Sequence, residues 1–149
     1  MMSKTCQKKL IDLWFFIALL CSHIMAKKSS EKYDQKIIEA LKKLPKQIED
    51  KRHGFVIEVK DERARSNETR FQHIAKKEHQ LKVRDIEVIP EGIKNYIKFS
   101  KSKDLKDTFC YFIKRKGGDK GFIQVAILVD FKNIGKAYLK TAFIAYRIK

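Results

Sequence analysis

Apolar side chains recur at helical spacing in the first segment after residue 30. They follow one another at steps of four, four, three and four residues, which places them on one helix face: Tyr33, Ile37, Leu41, Leu44 and Ile48. Pro45 is expected to kink or end this helix, with a restart through Asp50.

The middle of the chain alternates between short apolar and polar stretches. The predicted order is a strand at 55–60, a polar loop at 61–69, a helix from Ser66 or Asn67 to about Lys77, a short element at 83–89, and an amphipathic helix at 91–100. Phe71 and Ile74 are expected to face inward from the second helix.

The last third is rich in β-branched and aromatic residues. Three strands are predicted at 108–115, 121–131 and 138–147, separated by turns with Gly117-Gly118-Asp119 and Asn133-Ile134-Gly135. An antiparallel meander follows from this spacing. Helices first and strands afterwards indicate an α+β fold, with N-terminal helices packed on a C-terminal antiparallel β-sheet.

Residues 1–26 have a different character. Lys4, Lys8 and Lys9 precede nine mostly apolar residues, 13–21, a stretch too short to span a bilayer. A signal peptide explains this pattern and implies export, whereas a misassigned start upstream of Met25 implies a cytoplasmic protein. Under either interpretation, 27–149 is expected to form a single domain without a transmembrane span.

The composition favours a polyanionic partner. The 149 residues carry 34 Lys and Arg against 18 Asp and Glu, a formal net charge of +16, while 44% hydrophobic residues suffice for a core. Nucleic acid and an anionic membrane surface both fit this charge. The three cysteines form no CxxC pair, and Cys110 is expected to be a small core residue.

The residue types favour RNA cleavage without metal. Acidic residues are dispersed, so a two-metal site is not expected, and glycine is too scarce for a phosphate loop. Neither a metal nor another cofactor is therefore expected. RNA can be cleaved by side chains alone, because a base activates the 2′-OH, an acid protonates the leaving 5′-oxygen, and cations hold the phosphorane.

His73 and His79 are the histidines of greatest interest. Six residues apart, they fall on different faces of a straight helix and converge only if the helix ends near Lys77. The flanking Lys76 and Lys77 disfavour protonation, which suits a neutral base near pH 7. Purely structural or solvated histidines are the alternative.

Four ordered motifs resemble the barnase/EndoU/colicin/RelE-like ribonuclease superfamily, in particular its phage-associated and polymorphic-toxin branch. They are His73-x-x-Lys76-Lys77-x-His79-x-Leu81, Asp85-Ile86-x-x-Ile89-Pro90, Tyr111-x-x-Lys114-Arg115 and Lys140-Thr141-Ala142-Phe143. The resemblance covers about 71–146, with an RNase-like core at 71–147. It implies a barnase-like architecture and an endoribonuclease that leaves 2′,3′-cyclic phosphate ends.

The resemblance also implies roles for individual residues. The catalytic candidates are His73, His79, Lys114 and Thr141, and the substrate-binding candidates are Lys76, Lys77, Arg115, Tyr111 and Tyr146. Glu78 stands between Lys77 and His79, which departs from the family's tighter lysine–histidine pairing and bears on the role of His79. Which histidine is base and which is acid stays open.

Each role has a structural alternative. Lys114 and Arg115 could form a solvated hairpin end, Tyr111 could be core, and Thr141 could be a β-favouring residue. RNA is the expected partner, together with an acidic immunity or antitoxin protein that would cover the basic surface. The alternative functions are a non-catalytic nucleic-acid-binding domain and an exported basic protein that binds anionic envelope surfaces.

Overall fold

The fold is mixed α+β, as predicted, but strands also precede the middle helices instead of following all of them. The computed structural model describes residues 32–65 and 67–148, and residues from Tyr33 onward form one unit. The helices are α1 (Gln35–Lys42), α2 (Arg70–Ile74), a 3₁₀ helix (Lys77–His79), α3 (Val83–Glu87) and α4 (Ile89–Lys94). The strands are β1 (Gln47–Asp50), β2 (Phe55–Glu58), β3 (Arg63–Arg65), β4 (Glu68–Thr69), β5 (Lys98–Lys101), β6 (Thr108–Lys114), β7 (Phe122–Asp130) and β8 (Lys136–Ala145). The predicted leader, 1–26, lies outside the described residues.

Helix α1 is shorter than the apolar spacing predicts. The Asp34 side chain caps its N-terminus by accepting from the Lys36 backbone N–H. Ile37 and Leu41, on one face of the helix, are buried. The predicted restart through Asp50 is wrong, because 47–50 alternates exposed and buried side chains and forms strand β1. Ile48 thus enters the core from a strand.

Six strands form one curled sheet in the order β1-β2-β8-β7-β6-β5. The predicted meander of β6, β7 and β8 is confirmed, since both strand pairs are antiparallel. Strand β2, however, runs parallel to β8, so the sheet is neither purely antiparallel nor purely C-terminal. The predicted helix at 91–100 ends at Lys94, and Lys98–Lys101 instead pairs with β6.

The segment before α2, predicted as a polar loop, contains two short strands. Strands β3 and β4 form a small separate hairpin, and Thr69 then starts α2. Thr69 and Gln72 form a capping box, in which each side chain accepts from the other residue's backbone N–H. The helix ends at Ile74, three residues before the predicted end.

The main hydrophobic core lies between the helices and one sheet face. The sheet curls so far that its two edges approach each other across this core. The Tyr111 hydroxyl of β6 donates to Asp50 of β1, and the His53 ring stacks on Phe99 of β5 at 3.8 Å between centroids. Cys110 is buried on the opposite face, as expected. Within the described residues, no helix is long and apolar enough to cross a membrane.

Candidate active site

The second half of strand β8 is bordered by α2 and the 3₁₀ helix. Strand β2 pairs with β8 only as far as Tyr138, which leaves the rest of that edge open to the helices. A β-bulge leaves Lys140 without a partner on β7, and its carbonyl accepts a 3.1 Å hydrogen bond from Nη1 of Arg70. Further along, Tyr146 donates to Oε1 of Gln80 at 2.5 Å.

His73 and His79 meet beside this strand. Their ring centroids lie 5.4 Å apart at nearly right angles, and the His79 ring lies 6.0 Å from that of Phe143. This contact arises because α2 ends at Ile74 and the chain turns into the 3₁₀ helix, so the two histidines no longer share one helical register. The sequence predicts that the two histidines converge only if this helix ends early, and the helix does end early, at Ile74.

The buried carboxylate of Glu68 is hydrogen-bonded to the His73 ring. Glu68 is 5% exposed, and its Oε1 lies 2.9 Å from Nδ1 of His73, while Oε2 accepts from the Tyr33 hydroxyl at 2.9 Å. Burial alone would raise the pKa of Glu68, but hydrogen bonds from His73 and Tyr33 and the charge of Lys76 outweigh it and lower the pKa to about 2. Glu68 is therefore ionised at neutral pH and can only accept, so Nδ1 of His73 carries its proton.

His79 is held differently. Its Nδ1 lies 3.1 Å from the Ile74 carbonyl, which fixes the proton on Nδ1 in the neutral ring. Burial, aided by the charges of His73 and Lys76, lowers the pKa of His79. The lowered pKa favours the neutral form of the His79 ring at neutral pH.

Two buried polar atoms near this strand lack hydrogen-bond partners within the described part of the chain. They are Oγ1 of Thr141 and Nε of Arg70. Buried polar atoms are almost always paired, so these two atoms suggest a ligand that supplies oxygen atoms. Lys76 lies close by, with its Nζ 3.5 Å from Oε1 of Glu68, and Lys77 is exposed next to it.

Other predicted site residues are placed elsewhere. Tyr111 is fully buried in the core, and its hydroxyl donates to Asp50. Arg115 is buried against Asp85, with Nε–Oδ1 and Nη2–Oδ2 distances of 3.0 and 2.9 Å, and also donates to the Lys120 carbonyl. Neither side chain offers a free polar group to a ligand.

Lys114 and Tyr146 are exposed at the same end of the sheet. Lys114 ends β6 opposite Phe122 of β7, and Phe122 pairs with Ala145, the residue before Tyr146. The site that the structure assembles therefore centres on α2, the 3₁₀ helix and β8. Tyr146 lies at its margin through Gln80, and Lys114 lies two strands away from β8.

Sequence reasoning missed Glu68 and Arg70. Glu68 lies in a segment predicted to be a loop, and its bond to Tyr33 crosses 35 residues. The Thr69-x-x-Gln72 capping box was the available signal, because it starts α2 at Arg70 and puts Glu68 just before the helix.

The assembled groups can transfer protons and bind an anion. Two adjacent imidazoles, one backed by a carboxylate, suit acid–base chemistry, and a guanidinium with a hydroxyl suits an oxyanion. Among residues 32–65 and 67–148, no group of three or more His, Cys, Asp or Glu side chains could hold a metal ion. No family model, no curated protein and no solved structure matches the chain.

Proposed function

We propose that this protein is a metal-independent RNA endonuclease of the barnase/EndoU/colicin/RelE-like type. The observation that carries the proposal is the contact of His73 with His79 beside β8, with Glu68 behind His73. Two histidines within reach of one phosphodiester supply the base and the acid that transesterification needs. The α+β fold with its antiparallel meander is compatible with a barnase-like architecture.

In this mechanism His79 is the base. Its lowered pKa keeps the ring neutral near pH 7, and with the proton on Nδ1 its Nε2 can accept the 2′-OH proton. The 2′-oxygen then attacks phosphorus and forms a 2′,3′-cyclic phosphate.

His73 is the acid that protonates the leaving 5′-oxygen. The Glu68 carboxylate at Nδ1 stabilises the positive charge on the ring while Nε2 carries the proton to be donated. Glu68 touches no substrate and acts as a positioning residue.

The scissile phosphate is assigned to Arg70 and Thr141. Their buried Nε and Oγ1 have no hydrogen-bond partner among residues 32–65 and 67–148, and the phosphate oxygens would supply one. Lys76 and Lys77 would contact neighbouring phosphates, and Lys114 and Tyr146 the flanking nucleotides. DNA should resist cleavage, because it has no 2′-OH.

The test is incubation of the purified protein with labelled RNA in EDTA, followed by analysis of the product ends. We expect 2′,3′-cyclic phosphate ends, and no cleavage of an oligonucleotide with a single 2′-deoxy substitution at the cut site. His73→Ala and His79→Ala should abolish cleavage while RNA is still retained. His53→Ala is the matched control, because the His53 ring pairs with Asp50 and stacks on Phe99 rather than on either of the two site histidines.

Intact RNA with the unaltered protein would reject the nuclease. Binding without cleavage, weakening steeply with salt, would identify the non-catalytic nucleic-acid-binding domain instead. Cleavage that survives in both histidine variants would show that the active site lies elsewhere.

A further inference from the structure

One end of the sheet is built from three neighbouring loops, here called the loop end: 51–54, 102–107 and 131–135. Backbone hydrogen bonds hold two of these loops to neighbouring strands, and Gly135 of the third loop packs against the Gly54 carbonyl of the first. Val56 N–H donates to the Gly135 carbonyl at 2.6 Å, and Val129 N–H donates to the Asp107 carbonyl at 2.8 Å. The loop end therefore forms one surface.

Large apolar side chains protrude from this surface. Ile134 is fully exposed at 101%, Phe131 is 63% exposed, and Leu105 is 50% exposed. Hydrogen bonds brace the turn that carries the first two, because Asp130 accepts from the Lys132 backbone and from the Asn133 side chain. The turn thus presents its apolar side chains to solvent in a fixed position.

Basic side chains surround these apolar tips. The three loops contain five Lys or Arg against two Asp: Lys51, Arg52, Lys103, Lys106 and Lys132, with Asp104 and Asp107. A surface that combines protruding apolar tips with a net positive charge complements anionic lipid, whose headgroups attract lysine and whose acyl boundary accepts apolar side chains.

We propose that the loop end docks on an anionic lipid bilayer, with Phe131 and Ile134 inserted at the acyl boundary. The exposed apolar side chains come from two turns and leave gaps between them that lipid fills readily, whereas a protein partner requires a continuous, closely packed patch. Lysines around the tips lie at headgroup level, where each contributes to binding without losing its hydration.

This orientation leaves the candidate active site facing away from the membrane. Strand β8 starts at the loop end with Lys136 and reaches Phe143 seven residues later, about 23 Å away along the strand. Membrane docking and contact with RNA therefore use different ends of the molecule. The inference does not depend on the proposed nuclease activity.

The test is co-sedimentation of the full chain with phosphatidylcholine vesicles containing about 30% phosphatidylglycerol, compared with pure phosphatidylcholine vesicles. We expect binding to the anionic vesicles only. Phe131→Ser with Ile134→Ser should lower partitioning about tenfold, since two inserted side chains are lost. Lys103→Glu with Lys132→Glu should lower it comparably.

Ile97→Ser is the matched control for Ile134→Ser. Ile97 is 48% exposed but precedes β5, at the opposite end of the sheet, so its loss should leave partitioning unchanged. Unchanged binding of the loop-end variants would overturn the proposal and assign any membrane affinity to the apolar residues 13–21. Loss of a co-purifying protein without loss of vesicle binding would also overturn it, in favour of a protein partner. RNA cleavage, measured in parallel, should stay unchanged in every variant.

Discussion

Nδ1 of His73 lies 2.9 Å from Oε1 of Glu68, a carboxylate that is itself bonded to the Tyr33 hydroxyl. The Glu68 carboxylate fixes the tautomer of His73, and the backbone carbonyl of Ile74 fixes that of His79. Two histidines in contact are thereby anchored by unlike groups, a negative charge and a neutral dipole. In the proposed mechanism these unlike anchors suit the two histidines to different roles, acid for His73 and base for His79.

Glu68→Gln should lower kcat about 100-fold with little change in KM. The amide keeps the shape of the side chain but removes the charge that stabilises the protonated ring of His73. Single-turnover cleavage and RNA retention, measured on the same samples, separate the two parameters. Glu68→Asp should recover part of the rate.

Glu62→Gln is the matched control for this substitution. Glu62 is a half-exposed carboxylate 3.8 Å from Nη2 of Arg70 and does not contact either histidine. Equal losses in the Glu62 and Glu68 variants would contradict a specific positioning role for Glu68.

The lowered pKa of His79 predicts an unusual acid limb of the pH–rate profile. A base works when deprotonated, so kcat/KM should rise with pH through a midpoint below about 6.5, the ordinary value for histidine. Phe143→Ser should move this midpoint upward, because the Phe143 ring is part of the cover that buries His79. A midpoint at or above 6.5 in the unaltered protein would contradict the assignment of His79 as base.

The strands of the meander could be predicted because their apolar runs are long and are divided by glycine turns. Strands β1 and β5 could not, because Ile48 continues the helical spacing of α1 and Lys98–Lys101 fits the end of an amphipathic helix equally well. In both cases pairing with a distant strand outweighs the local pattern.

The candidate site was predictable only in part, for the same reason. The histidine pair stands close together in the sequence, so its convergence depended on a single helix end. The partners of Glu68 and Arg115 come from 35 and 30 residues away, and only the fold determines them.

Arg115→Ala should destabilise the fold by about 3–5 kcal/mol. The substitution leaves Asp85, which is fully buried, without its two guanidinium bonds. Lys114→Ala, the matched control one residue earlier, should change the free energy of unfolding little, because Lys114 is exposed. Denaturant unfolding measures both.

A double variant, Asp85→Leu with Arg115→Leu, separates stability from RNA contact. It removes both charges together and should recover most of the lost stability. RNA cleavage at the wild-type rate in this variant would confirm that Arg115 acts only within the fold. A rate that stays low in a stable protein would instead return Arg115 to the phosphate-binding set.

Thr141→Val should lower cleavage while leaving stability unchanged or improved by about 1 kcal/mol. The Oγ1 atom is buried without a hydrogen-bond partner in the described residues, so a methyl group of the same shape removes a cost to the folded state. A threonine present only for strand propensity would give the same stability and full activity, since valine favours strands equally. Thermal unfolding and initial cleavage rates on one preparation therefore distinguish the two roles. Loss of activity with retained stability would assign the hydroxyl to the substrate phosphate. Thr141→Ser, which keeps the hydroxyl, should then restore cleavage. Full activity in the valine variant would instead remove Thr141 from the site.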